Sequence, residues 1–395
     1  MKIDLKKLAI LTALLGFTGF ELQAQNNADV NSISTKPFQD GVNHWYHIKD
    51  EGNIVNPVEN QPQYAESDYT KIADNILLFQ RNNGGWPKNY DMRAILTPEQ
   101  VQKVIDTKGI LHTTFDNETT YTHIYYLAQV YTVTKNEAYK KGCLKGIDFI
   151  FDAQYGNGGW PQYFPLEKGY SRHITFNDGA YMGIMNLLKK IIDNDPNFAF
   201  IDAKTKNKVD KAYEKGLDCI LKMQIVDNGK LTAWCQQHDE ITLLPAWARK
   251  FEPPSICNGE SSDIVLFLMS LDNPNEKIIK SIESAVQWFA ASQIHNTRVE
   301  TFDAPQFESK YKTVTKDNRV VNDPAAPPIW TRYYELGTER PLFCDRDSKY
   351  LYSLAEVSRE RRVGYAWYTY SPQKVLDKYP KWQKKWAPTT AIIKQ

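Results

Sequence analysis

Asn83-Gly-Gly-Trp-Pro-Lys-Asn-Tyr90 followed by Thr114-Phe-Asp-Asn117 recurs farther along as Asn157-Gly-Gly-Trp-Pro-Gln-Tyr-Phe164 followed by Thr175-Phe-Asn-Asp178. Each copy runs from a glycine-tryptophan turn to an acid-amide pair, and each pair opens an amphipathic helical pattern. Duplication of this kind marks a repeat architecture, in which a unit that cannot bury its apolar face alone stacks on its neighbours.

The turns follow helices of one kind. Ile72, Ile76, Leu77 and Phe79 lead to Gln80; Ile147, Ile150, Phe151 and Ala153 lead to Gln154. Leu217, Ile220, Leu221 and Met223 lead to Gln224, and Val286, Phe289 and Ala290 lead more weakly to Gln293. Apolar residues at that spacing line one face of a helix, and the four glutamines fall about 70 residues apart, in keeping with a helix-pair repeat. Second helices are expected over 118–133, 179–192 and 261–271. The expected fold class is therefore all-α dominated: an α/α toroid of three to four helix-pair repeats, with a smaller irregular region of loops and short strands. In such a ring the turns and acidic pairs gather at one mouth. Trp86 and Trp160 read better as plugs beneath the turns than as rings that stack on a ligand.

Lys2, Lys6 and Lys7 precede a mostly apolar run from Leu8 to Phe20, and Leu22-Gln-Ala24 has the form of a cleavage site. That layout predicts a signal peptide over 1–24 and a secreted or periplasmic protein. An Asn-, Ser-, Asp- and Pro-rich lead-in over 25–66 is expected to be extended. The toroid repeats are assigned to 67–295, and the short-strand region that completes the groove to 296–395. Within the latter, Ser353-Leu-Ala-Glu356 has capping-box form and predicts a helix to about Arg362. An aromatic strand is expected over 365–370.

Ten Trp, 23 Tyr and 17 Phe on a chain of net charge +1 argue against a nucleic-acid binder, which would carry a basic surplus. No stretch is long enough to predict a membrane span, and no oligomerisation signal stands out, so a monomer is expected. The five cysteines lack metal-site spacing and read mostly as small buried residues.

Asp116, Asn117 and Asp178 are the first candidates for chemistry. All are helix N-cap types, and capping alone could account for them. The functional reading is that repeat-related carboxylates converge on Ca2+, a cation that takes oxygen ligands from Asp and Asn. His173, just before the second pair, is a candidate substrate contact. A second constellation is the arginine-dense tail holding Arg332, Arg340, Arg346, Arg359, Arg361 and Arg362, together with Arg249 and Lys250 from the third turn. Arginine grips carboxylates bidentately, so this density suits an anionic substrate; solvated helix surface and internal ion pairs are the structural alternative.

The phrases NNGGWPKN, TTFDNETT, GGWPQYFP, RHITFNDG, WCQQHDEITLLPAWARKFEPPSICNGES and PIWTRYYELGTERPLFCDRD with YSLAEVSRERRVGYAWY resemble the polysaccharide lyase family 10 pectate lyases. The resemblance runs in order from about Tyr69 to Tyr368. It implies calcium-dependent β-elimination on polygalacturonate bound in a groove. It also implies calcium and substrate roles for Asp116, Asn117 and Asp178, substrate binding by Arg249, Arg332 and Arg361, and Arg346 as the base. Two other readings stand beside it: a metal-independent glycoside hydrolase using Asp116 and Asp178 as an acid/base pair, and a non-catalytic glycan-binding protein.

Overall fold

A computed structural model describes residues 33–48 and 52–388; the expected signal peptide lies outside the described residues. The lead-in, expected to be extended, carries helix α1 (Gln39–His47), held by the buried rings of Phe38 and Trp45. Then come α2 (Tyr69–Phe79), α3 (Pro98–Asp106), α4 (Tyr121–Thr134) and α5 (Glu137–Ala153). A two-residue strand β1 (Ile174–Thr175) leads into α6 (Ala180–Ile192) and α7 (Ala203–Met223). Short strands β2 (Val226–Asp227), β3 (Lys230–Leu231), β4 (Gln237–His238) and β5 (Ile256–Cys257) precede α8 (Asn258–Met269) and α9 (Glu276–Ala291). Neighbouring helices pack in sequence, with α2 and α5 on α4, α4 and α7 on α6, and α6 and α9 on α8.

The repeat is built as its sequence implies. Trp86 Nε1 donates to the carbonyl of Ile76 at 2.7 Å, Trp160 Nε1 to Ile150 at 2.9 Å and Trp234 Nε1 to Ile220 at 2.8 Å. All three rings are buried, so each tryptophan plugs the end of the helix before it. The anchor glutamines do matching work. Gln80 Nε2 bonds the carbonyls of Gly84 and Gly142, Gln154 those of Gly158 and Ala212, and Gln224 those of Thr232 and Ser281. Each amide thus ties its own turn to a helix farther along the chain, α5, α7 and α9 in turn. Gly84 and Gly158 hold φ of +95° and +99°, and a Cβ there would fall 2.3 Å from Lys145 O or 2.1 Å from Lys215 O. Only glycine fits such a crowded left-handed position.

The expectation of an all-α dominated α/α toroid is corrected by the rest of the chain. Helix makes up 45% and strand 15%, the latter in small sheets, so this is a mixed fold. After α9 the chain turns to a long exposed hairpin, β6 (Thr297–Glu308) and β7 (Thr313–Asn322), where loops and short strands were expected. Strands β8 (Trp330–Thr331), β9 (Tyr333–Tyr334), β10 (Pro341–Cys344) and β11 (Tyr350–Leu351) follow. A four-stranded sheet of order β11-β10-β9-β5 binds this region to β5, inside the third repeat unit. Strand pairing therefore stitches the repeats to the tail, a long-range link that helical periodicity does not encode. The Ser353 capping box forms, but around a single 3-10 turn; α10 (Arg359–Gly364) is a separate helix. The aromatic strand shrinks to β12 (Tyr368–Thr369), paired with β8, before α11 (Ser371–Trp386) packs on α8 and α9. All five cysteines are free and buried, and no helix among the described residues is long and apolar enough to cross a membrane.

Candidate active site

The repeated turns aim their polar residues at one place. The carbonyl of each plug tryptophan accepts the backbone N–H at the head of the next motif: Thr114 on Trp86, Thr175 on Trp160 and Cys257 on Trp234. These bonds bring Asp116-Asn117, Asn177-Asp178 and Gly259-Glu260 to equivalent stations. The residue two past each tryptophan reaches the same zone. Lys88 Nζ pairs with Asp116 Oδ2 at 3.2 Å, and Gln162 Nε2 donates to Asp116 Oδ1 at 2.9 Å. Gln236, at the third station, accepts from Arg332 and Tyr333.

A cavity of about 390 Å³ opens there, with Lys88, Asp116, Asn117, Gln162, Asp178, Arg249 and Glu252 among its walls. Two of the three cation candidates, Asn117 and Asp178, sit in left-handed backbone, at φ +49° and +50°, which turns their side chains out of the helix-start geometry. The Asp178 carboxyl is pushed up to about 8 by burial and then by the neighbouring Asp116 charge, against the pull of Arg332 and Arg249. A buried carboxyl crowded by another carboxylate is relieved by a bound cation. Two carboxylates and an amide are an all-oxygen donor set of the kind calcium takes. Asp116, Asn117 and Asp178 therefore fit the expected ion.

Another group could hold a metal. His173, Asp239 and Glu240 offer ligand atoms within 4.8 Å of one another. Its members are already engaged: Glu240 pairs with Arg172 at 2.5 Å and His173 at 2.8 Å, while the Asp239 carboxylate takes the Ile241 and Thr242 N–H groups. His173 was expected to touch substrate. The structure ties it to Glu240 instead and does not place it in the cavity wall.

Of the predicted arginines, Arg249 lines the cavity among the described residues, and Arg332, Arg346 and Arg361 do not. Glu252 accepts from Arg249 Nε at 2.8 Å and Nη2 at 2.5 Å. Burial works against the Arg249 charge, but the Glu252 pair outweighs it and raises its pKa. Arg332 is largely buried; it pairs with Glu260 at 2.8 Å and donates to Asn177 Oδ1 at 3.0 Å, so it props up the loop that carries Asp178. Arg361 donates to the Gly364 carbonyl at 2.7 Å. Burial lowers its pKa, assisted by the charges of Arg346 and Arg249. Arg346 pairs with Glu360 through Nε and Nη2 at 3.0 and 3.1 Å, and Tyr311 from the hairpin tip stacks 3.5 Å from its guanidinium carbon. Lys250 is exposed, and its carbonyl accepts the Cys344 S–H.

Two organising residues escaped sequence reading. The Phe251 ring carries three guanidiniums, Arg249 at 5.0 Å, Arg346 at 5.3 Å and Arg361 at 4.4 Å, so cation–π contact lets like charges gather. Tyr365 bonds Glu252 at 2.8 Å and Tyr333 at 2.6 Å, continuing through Gln236 to Arg332 and the Asp178 loop. Lys88 and Gln162 were missed as well, although they fill the same slot of the duplicated turn, one cationic and one neutral, and that slot was the signal that could have found them.

The model of the family described as pectic acid lyase matches residues 80–376. The chain belongs to that family. It is similar to the family 10 polysaccharide lyase from Cellvibrio cellulosa, at 31% identity over 78% of this chain and 91% of that one, with a TM-score of 0.68. An aspartate-to-alanine mutant of family 10 polysaccharide lyase from the same organism, solved in complex with trigalaturonic acid, is 30% identical over 78% and 92%, with a TM-score of 0.67. No curated protein matches. The enzyme is a polysaccharide lyase, and the hydrolase and non-catalytic readings fall away.

Proposed function

We propose that this lyase cleaves polygalacturonate, de-esterified pectin, by calcium-dependent β-elimination, and that it works outside the cytoplasm once residues 1–24 are removed. The observation that carries the reading is the convergence of Asp116 and Asp178, from equivalent turns, on one cavity with Arg249 in its wall. The Cellvibrio structure that holds trigalaturonic acid supports the choice of an acidic sugar chain.

Asp116, Asn117 and Asp178 would hold the calcium ion, which when bound supplies Lewis-acid stabilisation of the charge that develops on the uronate carboxylate. Lys88 neutralises Asp116 from the other side, and Gln162 fixes its orientation. The base must remove the C5 proton. As that C–H bond breaks, its electron pair forms the C4–C5 double bond, and the glycosidic oxygen on C4 leaves and takes up a proton. The resemblance assigns the base to Arg346, but placement favours Arg249, which shares the cavity with both aspartates. Glu252 holds Arg249 charged, so activity is expected to climb into the alkaline range, where a guanidinium releases its proton more readily. Arg346, backed by Glu360 and Tyr311, and Arg361 then serve as fixed positive charges for neighbouring uronates.

Mixing the protein with polygalacturonate and calcium tests this directly. Elimination creates a conjugated double bond, so far-ultraviolet absorbance should rise, stop on adding a chelator and resume with excess calcium. Undiminished turnover in chelator would remove calcium from the reading. Methyl-esterified pectin cleaved faster than polygalacturonate would remove the acidic substrate.

A further inference from the structure

The family match begins at residue 80, yet one wall of the cavity comes from earlier in the chain. Helix α1 lies directly on the Asn117 turn: a Cβ added at Gly41 would sit 3.5 Å from the Asn117 backbone oxygen. The helix is pinned on both sides. Phe38 packs edge-on against His123 and Tyr126, Trp45 Nε1 donates to Val55 O at 2.8 Å, and Tyr46 bonds Asp91 at 3.0 Å. His44, three residues after Gly41, thus faces the candidate site and lines it.

Its contact there is specific. Asn117 Nδ2 lies 3.2 Å from His44 Nδ1 and 2.9 Å from Asn89 Oδ1. His44 Nε2 faces Asp40 Oδ1 at 3.7 Å, which favours the proton on Nε2 and leaves Nδ1 to accept. Both N–H groups of the Asn117 amide then have acceptors. Its carbonyl oxygen is the end turned from both, and that is the end a hard cation needs.

We propose that His44 is a positioning residue for the cation site: the α1 strap, lying ahead of the family-matched stretch, sets the Asn117 amide with its oxygen toward calcium. The inference rests on the calcium reading above. An outer partner that orients a metal ligand typically contributes about 10-fold or more to affinity.

Calorimetric calcium titration of the mature chain without substrate tests it, on wild type, His44→Ala and His44→Asn, with folding checked by unfolding in chelator. His44→Leu, which fills the space without an acceptor, replaces His44→Ala if that variant loses its fold. The expected result is about 10-fold weaker calcium binding without the acceptor, and recovery to within about twofold in His44→Asn, which restores one. Equal affinity in all variants overturns the inference and leaves the calcium reading intact. So does equal weakening in His44→Asn, because the contact is then one of shape. A wild type that binds no calcium overturns both.

Discussion

In the first copy of the repeat, Trp86 plugs α2, Gln80 ties the turn to α5, and Asp116 emerges with a lysine at 3.2 Å and a glutamine at 2.9 Å. In the second, Trp160 and Gln154 make the same bonds onto α5 and α7, but Asp178 emerges with no lysine in the matching slot, where Gln162 stands and turns to Asp116 instead. The neighbouring Asn177 amide donates to Asp178 at 2.5 Å, and the carboxyl is pushed up to about 8. The scaffold is thus duplicated and the charge is not. One carboxylate is balanced from within the chain, while burial and the neighbouring charge favour the protonated form of the other, the proton a bound cation would displace. A strictly symmetrical pair would be either two satisfied ion pairs or two carboxylates in conflict, and neither makes a selective cation site.

Substituting the acids should give the largest effects. Asp116→Ala and Asp178→Ala should each cost about 10³-fold or more in kcat/KM, on the order of 4 kcal/mol of transition-state stabilisation. The asymmetry then predicts a difference: Asp116→Ala also takes from Lys88 the carboxylate 3.2 Å away, so its loss should be partly recovered in the double variant with Lys88→Met. No such rescue is expected for Asp178→Ala. Steady-state rates on polygalacturonate decide, and rescue of both or of neither would dissolve the distinction. In the same assay Arg249→Lys should lower kcat far more than Arg346→Lys. The reverse order would return the base to Arg346.

Much of the repeated half could be read from the sequence because local spacing encodes it. Ile72, Ile76 and Phe79 fix a helix face, and the Gly-Gly-Trp turn needs glycine for its left-handed backbone. The cation candidates were legible for the same reason, since Asp116 and Asp178 occupy marked places in a duplicated phrase. The hairpin of β6 and β7 and the sheet from β5 to β11 were not. The sheet pairs β5 with β9 from far along the chain through strands of two residues, and the hairpin, though its strands are neighbours in sequence, is too exposed to show a clean alternation. The arginines show the same limit. Composition revealed that positive charge was dense, but Phe251, the ring that gathers Arg249, Arg346 and Arg361, is an ordinary aromatic until the fold brings them together.

If the turns are structurally equivalent, their plugs should be energetically equivalent too. Trp86→Ala and Trp160→Ala each remove a buried indole and its Nε1–H bond to a helix carbonyl, at a cost of about 3–5 kcal/mol. Denaturant unfolding should show similar losses for the two, with calcium binding retained wherever the variant stays folded. A much smaller loss in one would mean that its turn is held by something other than the plug.

The smallest effect probes the charge asymmetry itself. Asp178 has a folded pKa raised to about 8 from an ordinary 3.8, through burial and then Asp116. Between those values the calcium-free folded state holds a proton that the unfolded chain releases. This contribution to stability is therefore full below the unfolded value, declines as pH rises, and is gone once pH has passed the folded value. Calcium binding runs the other way. At pH 7 it must displace that proton, so binding should release about one proton and tighten by up to about tenfold per pH unit until the carboxyl is ionised. Calorimetry in buffers of different ionisation enthalpy measures the release, which should fade above about pH 8.5. Asp178→Asn is therefore expected to abolish the proton release, whereas Lys88→Met leaves it in place. Release that survives Asp178→Asn would assign the proton to another group and end the contrast between the two carboxylates.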